Sequence, residues 1–172
     1  EAGQVVEDET ARRILDIGAA DLMFSYANML GKRKGGETDA QILFERAIEL
    51  APKDAEGIGD YANFLSDHRK DYDRAGEMYE RALEFDPEGA DHTGNYALFL
   101  TNQRKDYDRA EAMYERALEL DPEDADNTGN YGLFLTNQRK DYDRAEAMFE
   151  RALELDPENA DHTGNYAVFL TN

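Results

Sequence analysis

Three histidines (His68, His92 and His162) and two serines (Ser25 and Ser66), with no cysteine, are a poor inventory for nucleophilic catalysis. Catalysis needs such groups to converge on one reacting atom. His92 and His162 lie 70 residues apart, twice the internal period set out below, and Asn127 holds the equivalent place between them. If helices pack at roughly 8–10 Å, one two-helix unit advances by up to about 20 Å. The two imidazoles then cannot share a metal or serve one nucleophile, and solvent-exposed histidines are expected. In Asp121-Pro122-Glu123-Asp124-Ala125-Asp126, four carboxylates fall within six residues, and hard cations take oxygen ligands. The segment lacks the glycine and closing glutamate of a calcium loop. Helix-end electrostatics account for Asp124 and Asp126, so a solvated acidic turn is expected. Tyr72, Tyr107 and Tyr142 each sit in Asp-Tyr-Asp, an acid-flanked pattern open to modification or to packing. Phosphate-cradling glycine loops and glycosylation sequons are absent from the sequence. No catalytic, metal or cofactor site is expected, and the chain reads as a non-enzyme.

Charge narrows the partners. With 39 Asp+Glu against 19 Lys+Arg, the formal net charge is −20. Such a chain repels phosphate backbones and anionic membrane surfaces, which excludes nucleic acid and membrane as expected partners. No run approaches the roughly 20 apolar residues of a membrane span. The start, Glu1-Ala2-Gly3-Gln4, lacks a signal-peptide pattern and an initiating Met, so a processed or excised chain is expected. Localisation stays open: cytoplasmic by default, extracellular not excluded by a chain without cysteine.

The elements that must carry these residues repeat. Tyr26, Tyr61, Tyr96, Tyr131 and Tyr166 recur every 35 residues, as do the four prolines Pro52, Pro87, Pro122 and Pro157. Residues 90–124 and 125–159 differ at only four places: His92/Asn127, Ala97/Gly132, Tyr114/Phe149 and Asp124/Asn159. The division is a leader or capping helix at 1–19, repeats at 20–54 (divergent), 55–89, 90–124 and 125–159, and a partial repeat at 160–172. Each repeat reads as two helices. Thr128, Tyr131, Gly132 and Leu135 share one helical face. Asp54, Gly89, Asp124 and Asn159 stand where N-caps belong. The second helix opens at Asp106, carries Ala110, Met113, Tyr114, Ala117, Leu118 and Leu120, and stops at Asp121-Pro122, because proline drives its predecessor out of the α region. A polar loop is expected at Gln103-Arg104-Lys105. No segment alternates long enough for a strand, so the fold is all-α.

The run Asp106-Tyr107-Asp108-Arg109-Ala110-Glu111, followed by Tyr114-Glu115-Arg116-Ala117-Leu118-Glu119-Leu120-Asp121-Pro122, resembles the second helix of a tetratricopeptide repeat (TPR). Ala110 and Ala117 match the family's small positions, Tyr114 its large aromatic, Pro122 its closing proline, and Ala97 or Gly132 the small position of the first helix. Thr128 stands where Trp is frequent, Tyr131 where Leu is usual and Leu135 where Tyr is usual. The period is 35 rather than 34, with the extra residue assigned to Gln103–Asp106, and the Asn-Tyr-Ala-x-Phe-Leu version resembles a bacterial-type subgroup. The resemblance implies an α-solenoid of stacked antiparallel helix pairs, a right-handed superhelix with first helices lining its concave face. It implies that the Asp-Tyr-Asp tyrosines pack at the inter-helix corner.

By the same resemblance, the concave face carries Asp91, Gly94, Leu98, Thr101 and Asn102 in one repeat and Asp126, Gly129, Leu133, Thr136 and Asn137 in the next. Spacings of three and four keep these on one side of a helix. A mid-helix glycine costs about 1 kcal/mol relative to alanine, so close approach of a ligand backbone is one use for Gly94 and Gly129. Asn102 and Asn137 form a ladder able to hydrogen-bond an extended peptide. A polar face merely copied from unit to unit reads the same way. The basic residues with which some relatives grip a terminal carboxylate are missing, Asp91, Gly94 and Asn95 standing at those places.

The leading expectation is a non-catalytic scaffold for a partner protein or extended peptide, neutral or basic. The alternative is a self-assembling structural array, natural or consensus-designed, which near-identical repeats also suit. Val5, Val6, Ile14, Leu15 and Ile17 are expected to cap the first repeat. Tyr166, Phe169 and Leu170 are expected to lie exposed and to drive homo-oligomerisation through the carboxyl-terminal helix, unless the chain continues.

Overall fold

A computed structural model of the chain describes the backbone of residues 2–171 and the side chains of residues 16–171. It comprises two compact blocks, Glu1–Pro87 and Glu88–Asn172, and the regular structure among the described residues is helical throughout.

In the amino-terminal block, α1 (Ala2–Gly31) pairs with α2 (Glu37–Leu50), and α3 (Ala55–Phe64) with α4 (Tyr72–Phe85). The turn after α1 is closed by Gly35 at φ +82°, a conformation that glycine adopts without Cβ strain. Ala27, Ala40, Ala47, Ala62, Ala75 and Ala82 are fully buried, letting the helices approach closely. Phe44 fills the space they leave, with its ring 5.1 Å from Tyr61 and 5.2 Å from Phe64. Such pairs contribute about 0.5–1.5 kcal/mol beyond area burial.

The leader is not a separate element, because α1 runs unbroken through residues 19 and 20. Of the residues expected to cap the first repeat, Val5, Val6, Ile14 and Leu15 lie outside the described side chains. Ile17 is exposed, as are Leu22, Tyr26 and Met29 below it. Tyr26 is 51% exposed although its counterpart Tyr61 is 2% exposed. The difference is that Phe44 of α2 covers Tyr61.

The carboxyl-terminal block pairs α5 (Ala90–Phe99) with α6 (Tyr107–Leu120) and α7 (Ala125–Phe134) with α8 (Tyr142–Leu155), and ends in α9 (Ala160–Leu170). Tyr114 lies 5.5 Å from Tyr131 and 5.4 Å from Phe134, the contact that Phe149 repeats with Tyr166 and Phe169. Asp54, Asp124 and Asn159 accept backbone N–H bonds at the starts of α3, α7 and α9, while Gly89 makes no side-chain cap. Asp71, Asp106 and Asp141 cap α4, α6 and α8.

The expected loop at Gln103-Arg104-Lys105 is instead a helical continuation. Three π-helical turns, Leu65–Arg69, Leu100–Arg104 and Leu135–Arg139, extend α3, α5 and α7. Each stops at a lysine in the left-handed region, with φ of 58° at Lys70 and 59° at Lys105 and Lys140. The N–H of Asp106 returns to the Leu100 carbonyl at 3.1 Å, which closes the helix end. A π-turn accommodates one more residue than an α-turn, which suits a period of 35.

Candidate functional site

Within each block, neighbouring first helices meet through a knob and a notch. Counting Ala20, Ala55, Ala90, Ala125 and Ala160 as position one, Gly94 and Gly129 occupy position five. The Asn127 amide fills the space above Gly94, so a Cβ there would overlap it. The His162 ring fills the space above Gly129, its Nδ1 standing 3.0 Å from where a Cβ would be. Asn127 is held in place by its own N-cap, since Nδ2 donates to Asp124 Oδ2 at 2.6 Å. In the amino-terminal block the polarity is reversed: Phe24, at position five of α1, fills the notch left by Gly57 at position three of α3.

These seats correct two expectations. Gly94 and Gly129 are buried under the next helix and do not face a ligand. His162 is 5% exposed and Asn127 6%, not solvent-exposed, because position three is a knob. His162 Nε2 makes no hydrogen bond among the described residues, and Asp126 Oδ1 stands 3.5 Å from it. At their nearest points α5 and α7, like α7 and α9, come within 8 Å from Cα to Cα.

The remaining predicted residues divide by exposure. Asp91, Leu98, Asn102, Asp126 and Asn137 are exposed, while Leu133 and Thr136 are half-buried. Thr101 is turned inward, 6% exposed, with its hydroxyl donating to the Ala97 carbonyl at 2.9 Å. Thr136 makes the same bond to Gly132. At α9, Leu170 is 60% exposed. Tyr166 and Phe169 are only half-buried rather than open, since both rings rest on Phe149.

Sequence reasoning missed the recesses between α1 and α3. A cavity of about 260 Å³ is lined by Asp21, Phe24, Ser25, Asn28, Asp54, Glu56, Gly57 and Asp60. A second, of about 280 Å³, is lined by Asn28, Gly31, Lys32, Asp60, Asn63, Phe64, Asp67 and His68. The Asn28 amide donates to Asp60 where the two meet. The signal was present at position two, where Asp21 and Glu56 match Asp91, Asp126 and Asp161, but divergence of the first repeat concealed it.

Away from this face, a tyrosine–glutamate–arginine cluster ties α3 to the second helix before it, and another ties α7 likewise. Tyr61 donates to Glu45 at 2.9 Å, and Arg74 donates to both while its guanidinium lies 5.6 Å from the Tyr61 ring centre. Hydrogen bonds from Gln41 and then Arg74 hold the Glu45 carboxyl below its usual range. Burial, then the Glu45 hydrogen bond, raises the Tyr61 phenol. In the carboxyl-terminal block Tyr131, Glu115 and Arg144 repeat the cluster, which extends through Glu111 to Arg139 and Asp108. Phenols held protonated and carboxylates held in ion pairs serve structure here. Tyr107 and Tyr142 pack their rings near Phe134 and Phe169, at 6.4 and 6.5 Å.

Among the described residues no group of three or more His, Asp or Glu could hold a metal ion. No helix there is long and apolar enough to cross a membrane.

A family model described as tetratricopeptide repeat matches residues 65–125, 103–160 and 137–171. No curated protein matches the chain. Among solved structures, PilF of Pseudomonas aeruginosa is similar at 25% identity over 88% of this chain and 69% of its own, with a TM-score of 0.74. YrrB, described as a TPR protein with an unusual peptide-binding site, is similar at 25% identity over 98% of this chain and 81% of its own, with a TM-score of 0.66. The first TPR of Spaghetti (RPAP3), bound to the HSP90 peptide SRMEEVD, shares the fold at 22% identity over 69% of this chain and 91% of its own, with a TM-score of 0.61. The fold is an all-α solenoid of helix pairs.

Proposed function

The chain belongs to the tetratricopeptide repeat family, and on that premise we propose that it is a non-catalytic scaffold binding a neutral or basic protein segment along its first helices. One observation carries the reading. The exposed face of those helices repeats the same side chains: Asp91 and Asp126, then Leu98 and Leu133, then Asn102 and Asn137. Carboxylates attract a cationic segment, and asparagine amides bond the backbone of an extended one in both senses. The recess bounded by Asp21, Asp54, Glu56 and Asp60 has the same sign. YrrB is described as having a peptide-binding site and the Spaghetti domain as holding a peptide, which supports a peptide as the ligand class. The peptide of the latter is acidic, and this chain's charge points the opposite way.

Peptide arrays at moderate salt test the proposal. Basic and neutral extended peptides should be retained, and preferential capture of acidic carboxyl-terminal peptides overturns it.

Exposed apolar side chains favour a second reading, self-association. Leu22, Met29 and Ile42 in the amino-terminal block are 74%, 57% and 59% exposed, and Val168 and Leu170 in the other are 61% and 60% exposed. Light scattering across concentration decides it: a strictly monomeric protein at high concentration removes this alternative.

A further inference from the structure

The seats at Gly94 and Gly129 do more than join helices. They set the spacing at which the carboxyl-terminal block presents its repeated side chains, and a ligand contacting equivalent residues on each helix must match that spacing. We propose that this block reads a polyproline II segment with a three-residue period, one aliphatic side chain per turn beside basic residues. The inference rests on the proposed function and names its ligand.

The aliphatic row is Leu98, Leu133 and Val168, at position nine of α5, α7 and α9. Leu98 and Val168 are 37% and 61% exposed, and Leu133 is half-buried. Asp91, Asp126 and Asp161 form an exposed row on the same helices, about two turns toward their N-termini. Packed helix axes lie about 8–10 Å apart, and at the notches these first helices come within 8 Å from Cα to Cα at their nearest points.

Peptide geometries divide sharply at this distance. Polyproline II returns to the same face every third residue, about 9 Å along its axis. In a strand the third residue points the other way, and like-facing side chains recur at about 6.6 or 13 Å. An α-helix repeats its face at about 5.4 Å. Only the three-residue helix places one side chain of each turn against one first helix. Its backbone makes no internal hydrogen bonds, so its carbonyls remain available to the Asn102 and Asn137 amides. Lysine or arginine beside each aliphatic residue meets the Asp91, Asp126 and Asp161 row.

Fluorescence anisotropy on the whole chain tests this with dye-labelled peptides at moderate salt. One peptide is built of Pro-Lys-Leu triplets, one is a shuffle of identical composition, and one alternates Lys and Leu. The triplet peptide should bind about tenfold tighter than the shuffle, as expected when a site reads spacing as well as composition. Leu133→Ser, checked for unchanged helicity, should abolish that preference by bringing the triplet peptide's affinity down to that of the shuffle. Equal binding of triplet and shuffle overturns the inference but leaves a basic-peptide scaffold standing. Tightest binding of the alternating peptide overturns it in favour of a strand. No binding by any of the three overturns both the inference and the proposed function.

Discussion

Asn127 of α7 sits directly over Gly94 of α5, and the space for its amide exists only because residue 94 has no Cβ. The amide is anchored by Asp124, so it cannot simply swing aside. Gly94→Ala would gain about 1 kcal/mol of helix propensity but lose about 1–3 kcal/mol to overpacking. A net loss near 1 kcal/mol is expected in urea denaturation. Gly129→Ala meets the edge of the His162 ring at 3.0 Å rather than a direct overlap, and should lose less. Equal midpoints for both variants would show that the notch is not specific.

The left-handed lysines offer the opposite sign. Lys105 ends its π-turn at φ 59°, a region that a side chain enters at a cost and glycine enters freely. Lys105→Gly should stabilise the protein by about 0.5–1 kcal/mol, after allowing for glycine's greater freedom when unfolded. Thermal melts of Lys70→Gly and Lys140→Gly should shift upward in the same way. A fall in any of them would mean that the lysine head group matters more than its backbone.

Ionic strength sets two effects against each other. A net charge of −20 favours expansion, while the Asp108–Arg139–Glu111–Arg144–Glu115 cluster holds α6 to α8. Ion pairs exposed to this degree are worth about 0–1 kcal/mol each. Net repulsion should win, with the melting temperature rising as salt goes from about 0.01 to 0.15 M and the Debye length falls from about 30 to 8 Å. A falling melting temperature would place the cluster above the net charge.

Acid and alkali act through different residues. Because Glu45 is held below its usual range when folded, its contribution is present above the unfolded carboxylate value. It is lost as pH falls through the folded value. Glu45→Gln should therefore flatten the acid limb of a stability–pH profile. Burial pushes the Tyr114 phenol up to about 12. Its contribution is complete below the unfolded value of about 10 and is lost between about pH 10 and 12. Phenolate absorbance should rise together with loss of helical signal there. Ionisation without unfolding would show that Tyr114 is accessible.

Much of this architecture was legible in the sequence, because periodic residues report on local geometry. Tyr61, Tyr96 and Tyr131 lie on the inward face that their spacing implies, and Asp54, Asp124 and Asn159 cap as their types suggest. The π-turns were not legible. Leu-Thr-Asn-Gln-Arg has loop-like polarity, and a lysine stands where a helix-ending glycine would have marked the stop. The notches were hidden for another reason. Gly94 and Asn127 are 33 residues apart, and only the approach of α5 to α7 turns a costly mid-helix glycine into a socket. The same gap in knowledge left His162 on the surface in the sequence reading and the recess at Asp21, Glu56 and Asp60 unseen.

The reversed knob also governs how such an array can grow. Phe24 requires a glycine at position three of whatever follows it, and Gly57 supplies one, whereas the later repeats carry His92, Asn127 or His162 there. Unequal recombination that deleted residues 55–89 would set Phe24 against His92, two bulky rings competing for one site. Duplication of residues 125–159 instead sets an asparagine over Gly129 and keeps His162 over a glycine. The fold thus lets its later repeats multiply without a clash, and those are the ones that differ at four positions.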